Sequence, residues 1–366
     1  MEWFFYLLVI ALALWGVTRF YLRGEDLTPY DGLRDTVTGT RDAPSEQHAQ
    51  VVKQIGFMAP PAKGSRSQQL QSMRGLMDAM GDDANLDGVD IQAVDVDGVP
   101  AEWVVSDGSD PDRRLLYLHG GAFMMGSPRS HRAVTVKLSK IAGAAVLAID
   151  YRLMPENKRI ECLTDCQTAY RWILENGPQG PTPVEHLFVA GDSAGGNLTL
   201  VVIAWARDEG LRAADAAIAL SPGTDGTFSG PSMRSNVATD HMLGPAMGRA
   251  ASVPKGIMLW FAWQSSRVRP SDPRVSPIHG DLADLPPTLV HASEAEMLLD
   301  DARRYVNKAN AAGSDAVLQT WLHMLHVWHI FEATLPEAKE AFDHIEAFLE
   351  KTAPRSVRAA MDAGSV

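Results

Sequence analysis

The tightest constraint in this chain is a short run in which a buried strand meets glycine without a spacer. Leu187-Phe188-Val189-Ala190 reads as a strand, Gly191-Asp192-Ser193-Ala194-Gly195-Gly196 follows at once, and an apolar helix runs on to Arg207. Only small residues fit two places before and two places after the serine, because the chain must pass from strand to helix within one turn. Such a turn lifts the Ser193 hydroxyl above the sheet. It also aims a helix N-terminus at the charge that would develop there. A nucleophilic serine is the reading this context favours over an ordinary β-α turn. Asn197-Leu198-Thr199 also spells a glycosylation sequon, but it falls inside the helix and is set aside.

The rest of the chain supplies a sheet for that turn. Ile91–Val96 and Ala101–Val105 read as strands joined through Asp97-Gly98. Arg114–Leu118, Ala144–Ile149, Ala216–Leu220, Thr288–Ala292 and Ala316–Trp321 are short apolar runs of strand type. Between and after them, Cys162–Glu175, Asp300–Ala312 and Pro336–Lys351 have helical character. This alternation predicts an α/β fold with a mainly parallel sheet and helices on both faces. From Gly223 to about Asp272 the alternation stops. Met242, Leu243, Met247, Leu259, Trp260 and Phe261 form a separate apolar set there, read as an insertion carrying part of a cap. Upstream, Glu46–Ile55 and Ser67–Met80 are helical stretches separated by Pro60-Pro61. Met73, Leu76, Met77 and Met80 form a stripe that reads as packing, or as the lining of a greasy entrance.

Composition excludes several functions. The 366 residues, 46% hydrophobic and 21% charged, suit one large globular domain. A formal net charge of −12 and the lack of a basic stripe argue against a nucleic-acid partner. Cys162 and Cys166, four apart on a helix, read as small buried hydrophobes rather than a metal site or disulfide framework.

A second glycine-rich loop lies where an oxyanion hole is needed. The strand Leu115-Leu116-Tyr117-Leu118 runs into His119-Gly120-Gly121-Ala122-Phe123. Gly120 and Gly121 let backbone amides approach a ligand, and with the Ala194 amide they are the expected oxyanion donors. A general base should follow the last strand, with an acid between it and the serine in chain order. His323, His326 and His329 crowd the first position. Glu294, Glu296, Asp300 and Asp301 crowd the second. A metal site from the three histidines would lack the helical pair with a glutamate found in zincins.

Through His119-Gly120-Gly121-Ala122 and Gly191-Asp192-Ser193-Ala194-Gly195-Gly196 the chain resembles the hormone-sensitive-lipase group of esterases and lipases, bacterial family IV. Tyr151-Arg152-Leu153 with Pro155-Glu156, Ser221-Pro222, and Asp272-Pro273 with Ser276-Pro277 support the likeness, which spans about Val89 to Lys351. The resemblance implies an α/β-hydrolase fold and a cofactor-independent serine hydrolase of carboxylic esters. The implied Ser–His–Asp/Glu triad sits beneath a helical cap built from the N-terminal segment and a later insertion. The family's pattern around the base fits Met324-Leu325-His326-Val327-Trp328 and implies His326. Its pattern around the acid fits Glu296-Met297-Leu298-Leu299-Asp300-Asp301 and implies Glu296, where many members use Asp. One departure is local: where the family often continues into Phe-Pro-Ala, this chain has Asn157-Lys158-Arg159-Ile160. Short-to-medium acyl esters are the implied substrates. The alternatives are longer lipid esters, or amide hydrolysis and acyl transfer by the same site. A silent member that only binds an apolar ligand is disfavoured, since serine, histidine, acid and glycines are all present.

The N-terminus is an addition to that pattern. Trp3 to Val17 is uninterrupted apolar or small sequence, followed by Phe20, Tyr21 and Leu22 among Arg19 and Arg23. About 20 residues at ~1.5 Å each can cross a hydrocarbon layer of ~30 Å. Glu2, in place of a basic leader, argues against a signal peptide. A retained single-pass membrane anchor through residues 3–22 is expected, against an apolar cap helix or a helix lying in the interface. Arg19 and Arg23 favour a catalytic domain on the cytoplasmic side. The expected division is an anchor at 1–23, a cap segment at 24–88, a catalytic domain at 89–352 with an insertion at 223–272, and a loose tail at 353–366. A second copy of the chain is a further candidate partner.

Overall fold

A computed structural model describes residues 2–32, 37–57 and 64–355. Its centre is an 8-stranded sheet. The strands are β1 (Val89–Val96), β2 (Val99–Ser106), β3 (Asp110–Leu118), β4 (Ala144–Ile149), β5 (His186–Asp192), β6 (Ala216–Leu220), β7 (Thr288–Ser293) and β8 (Ala316–Trp321). Their order is β1-β2-β4-β3-β5-β6-β7-β8. β2 runs antiparallel to both β1 and β4, and every other pair is parallel. The expected mainly parallel sheet is therefore present.

The helices are α1 (Glu2–Val17), α2 (Glu46–Phe57), α3 (Arg66–Met80), α4 (Arg132–Ala142), α5 (Arg159–Ile173), α6 (Ala194–Asp208), α7 (Ser232–Ser235), α8 (Gly244–Ala251), α9 (Lys255–Ser266), α10 (Leu299–Ala311) and α11 (Pro336–Thr352). Strand alternation divides the core into two layers. Leu116 and Leu118 of β3 face the cluster with α5, α6 and α10, while Leu115 and Tyr117 face the cluster with α4 and α11. Cys162 and Cys166 are buried free thiols in the first of these layers. The sequence reading missed α4, whose Val134-Thr135-Val136 run is poor helix-forming material, yet each of these residues is buried there.

α7, α8 and α9 fall between β6 and β7. From the N-terminal segment, Val51 of α2 joins the cluster of Trp321, Met324, Leu325 and Trp328. α3 buries none of its residues fully, so its methionine stripe is half-covered rather than core. It is braced by Arg74, which donates to the carbonyls of Met124 and Met154 and pairs with Glu156 at 2.8 Å. Ala353 is buried and Arg355 pairs with Glu346 and Glu350, so the start of the tail is docked. The remainder of the expected loose tail, 356–366, lies outside the described residues.

Candidate active site

Parallel strands deliver loops to one edge of a sheet, at their carboxyl ends. β3 is followed by His119-Gly120-Gly121, β5 by Ser193, β7 by Glu296 and β8 by His326. Register aligns them, with Leu118 beside Gly191, Asp192 beside Leu220, and Trp321 beside Ser293. Residues separated by more than a hundred positions thus meet over a few ångströms.

Ser193 sits at φ 52° and ψ −114°, a conformation that L residues rarely adopt. Its amide donates to the Leu220 carbonyl at 2.7 Å, which pins the turn to β6. The sterics expected from sequence are visible at Gly195, where a Cβ would stand 1.8 Å from the Leu118 oxygen. At Gly191 a Cβ would lie 2.5 Å from that same oxygen.

His326 Nε2 lies 2.9 Å from Ser193 Oγ, and its Nδ1 lies 2.7 Å from Glu296 Oε2. A carboxylate can only accept, so Nδ1 carries the proton and Nε2 is left to accept from the serine hydroxyl. Glu296 is fully buried, and its other oxygen accepts from the Ser293 amide at 2.8 Å. Burial pushes the His326 pKa down, but the hydrogen bond and charge of Glu296 outweigh it and hold the imidazole above its ordinary value. Burial also pushes the Glu296 carboxyl up, against the pull of His326.

The other two histidines are placed elsewhere. His323 Nε2 meets the Asp42 carbonyl. His329 is buried and meets His291, which in turn meets Gln319. Of the four acidic candidates, Glu294 and Asp300 pair with Arg303, and Asp301 accepts from the amides of Thr224 and Asp225.

The expectation for Gly120 needs correction. Its amide donates to Asp192 Oδ1 at 3.0 Å, so it is already engaged and cannot face an oxyanion. Asp192 also accepts from the Tyr117 hydroxyl at 2.6 Å. Burial alone would raise the Asp192 carboxyl, but the charge of His131 and the Tyr117 hydroxyl hold it at about 2. The amides of Gly121, Ala122 and Phe123, the next three along, have no acceptor among the described residues, and those of Gly121 and Ala122 lie one and two places on from Gly120. Gly121, Ala122 and Phe123 have φ of 113°, 56° and 61°, a curl closed by the Met124 and Met125 amides on the Gly121 oxygen. Ala194 opens α6, where the first amides of a helix have no partner within it.

Three supporting groups escaped the sequence reading. Asp240 Oδ2 accepts from the Met297 amide at 2.8 Å, and Asn236 Nδ2 donates to the carbonyls of Glu294 and Glu296 at 2.9 Å. Both lie in the insertion and fix the acid loop. Arg159, 3% exposed, places its guanidinium 3.8 Å from the Phe123 ring centroid and donates to Asn197 Oδ1 at 2.7 Å. Neighbouring apolar groups of the insertion, Phe228, Met233, Met247 and Met258, line a small cavity with Met297, the residue next to Glu296.

A serine, an imidazole and a carboxylate in one hydrogen-bonded row, at the carboxyl edge of this sheet, define the class as an α/β hydrolase. Residues 115–330 match the family described as alpha/beta hydrolase fold. An acetyl-hydrolase of Streptomyces hygroscopicus is 38% identical over 68% of this chain and 79% of its own. A carboxylesterase/phospholipase of Mycobacterium tuberculosis is 34% identical over 72% of this chain and 67% of its own. The crystal structure of an esterase/lipase from an uncultured bacterium superposes with a TM-score of 0.73 at 34% identity, covering 84% of this chain and 99% of that one. An esterase from the bacterial hormone-sensitive lipase family superposes with a TM-score of 0.73 at 35% identity, over 85% and 99% of the two chains. The chain belongs to the hormone-sensitive-lipase group of α/β hydrolases, and it is a carboxylic ester hydrolase.

Proposed function

We propose that the chain cleaves short-to-medium acyl esters through an acyl-enzyme on Ser193. The observation that carries this reading is the row Ser193–His326–Glu296 at 2.9 and 2.7 Å. His326 Nε2 takes the Ser193 proton as Oγ bonds to the ester carbonyl carbon. The resulting oxyanion accepts hydrogen bonds from the amides of Gly121, Ala122 and Ala194. The tetrahedral intermediate then breaks its bond to the alcohol oxygen, which takes the proton from His326. Water, deprotonated by His326, attacks the acyl carbonyl carbon; the bond to Ser193 Oγ breaks, His326 returns the proton to Oγ, and the carboxylic acid leaves. Glu296 holds the tautomer and stabilises the imidazolium in both halves.

Residues 3–22 anchor this hydrolase in a membrane, and Arg19 and Arg23 at the end of the span favour a cytoplasmic active site. A 20-residue apolar helix over Trp3–Leu22, almost wholly exposed, supports the anchor. Labelling with a fluorophosphonate probe, with and without Ser193→Ala, tests the chemistry. Labelling that survives the substitution would overturn it.

A further inference from the structure

We infer that α9 of the cap lies in the lipid–water interface and opens the active site to esters dissolved in the membrane. This rests on the reading of residues 3–22 as a membrane span. The apolar helix is not tethered by a flexible linker. Its last turn, a π-helical turn at Thr18–Leu22, is docked on α9. Trp260 Nε1 donates to Thr18 Oγ1 at 2.8 Å, and the rings of Tyr21 and Trp263 meet edge to face at 5.8 Å. Arg269 lies over the other partner of that contact, Tyr21, and Leu22 is fully buried.

Length then fixes position. From Trp3 to Leu22 is 20 residues, which at ~1.5 Å per residue is the ~30 Å of a hydrocarbon layer. The turn that holds α9 therefore falls where the hydrocarbon ends. Tryptophan and tyrosine favour that level, and exposed Arg19, Arg23 and Arg267 suit the headgroups beside it.

α9 itself carries the matching surface. Its core sequence Ile257-Met258-Leu259-Trp260-Phe261-Ala262-Trp263 is apolar on every side, a pattern suited to burial or lipid rather than water. Leu259 faces inward and is buried, yet Ile257 and Phe261, one turn apart, are 61% and 73% exposed. They flank Gly256, Trp260 and Trp263, through which α9 meets the π-helical turn, and α1 and Phe20 on that turn's side are exposed and apolar as well. A lipid surface is the occupant favoured by this continuity, because the span brings it to that face without further ordering cost. On the flank next to that exposed pair, about 80° round the helix, Met258 lines the methionine-rich cavity that ends at Met297, beside Glu296. One helix thus presents lipid-facing side chains and, on the neighbouring flank, a side chain that lines the approach to the acid loop. An apolar ester would pass between them without crossing water.

The test uses the full chain in phosphatidylcholine vesicles. Single labelling sites for an environment-sensitive fluorophore are made by Ile10→Cys, Ile257→Cys and Phe261→Cys, since native Cys162 and Cys166 are buried. All three labels are expected to emit as in lipid and to be quenched by brominated acyl chains. Lipid emission at position 10 with aqueous emission at 257 and 261 would overturn the inference and leave the span standing. Aqueous emission at all three would overturn the span and the inference together. In a second arm, Ile257→Asp with Phe261→Asp should lower turnover of a vesicle-dissolved medium-chain ester about tenfold or more, the scale of one large apolar side chain lost from lipid. Turnover of a soluble aryl acetate should be unchanged. An equal effect on the two substrates would sink the proposed route.

Discussion

The carboxyl edge of the sheet and the cap are held by different physics. At the edge, the side chains proposed for the chemistry have fixed partners: Glu296 is held through both oxygens, His326 bridges it to Ser193, and Asp192 behind them gathers Tyr117 and Gly120. The cap side is apolar and loosely closed. α3 buries no residue fully, α9 leaves Ile257 and Phe261 in the open, and methionines of α7, α8 and α9 line the cavity beside Met297. Hydrogen-bonded rows fix geometry to fractions of an ångström, whereas methionine surfaces accept many shapes. The contrast separates the reaction from the choice of ester. Changes at the edge should lower turnover of every ester, and changes on the cap should sort one ester from another.

The largest effect should come from Ser193→Ala. If the row acts as a unit, kcat falls by roughly 10⁶ for soluble and membrane-dissolved esters alike. A loss confined to one class of ester would break the comparison at its strongest point.

Glu296→Gln comes next. Neutralising the orienting carboxylate of a serine protease triad costs roughly 10⁴ in kcat, and a buried carboxylate with the same geometry should cost a similar amount here. The pH profile sharpens this further. As the proposed base His326 would act only when neutral, and Glu296 holds its pKa above the ordinary histidine value. Activity in kcat/KM should therefore fall as pH drops through a midpoint above about 6.5. In the Gln variant the main pull is gone and burial is opposed only by the charges of Asp240 and Asp192, so the limb of the residual activity should move to lower pH. A limb that stays in place would mean that another group titrates there.

The same contrast explains what could be read from the chain. The turn at Ser193 was legible because its sterics are local: Gly191 and Gly195 stand against backbone oxygens. His326 and Glu296 were legible as loop positions after strands, and the family pattern selected them from seven candidates. The Gly120 amide was not legible. Which amide of a glycine pair faces outward is decided by the Asp192 carboxylate, 72 residues away in sequence. α9 had no helical signature because it is apolar on all sides and therefore lacks a period. Asp240 and Asn236 act only through backbone atoms of a loop they meet in space.

Arg159 gives the smallest and most discriminating prediction, because it stands where the two regions touch and where the chain departs from its family. Its guanidinium is buried, stacks on Phe123 next to the Gly121-Ala122 amides, and holds Asn197 on the helix behind Ser193. No carboxylate pairs with it among the described residues, and burial pulls its pKa down. A lone buried cation is expensive, by several kcal/mol, while its ring contact and hydrogen bond return about 2 kcal/mol each. Stability therefore does not account for an arginine at this position. Arg159→Met has similar length and no charge to desolvate, so its melting temperature should equal or exceed that of the parent. Its kcat should nevertheless fall about tenfold, equivalent to 1.4 kcal/mol of lost oxyanion alignment, with KM for an aryl acetate little changed. A variant that loses stability and KM but keeps kcat would make Arg159 a packing residue. It would also move the boundary between the two regions outward to Phe123.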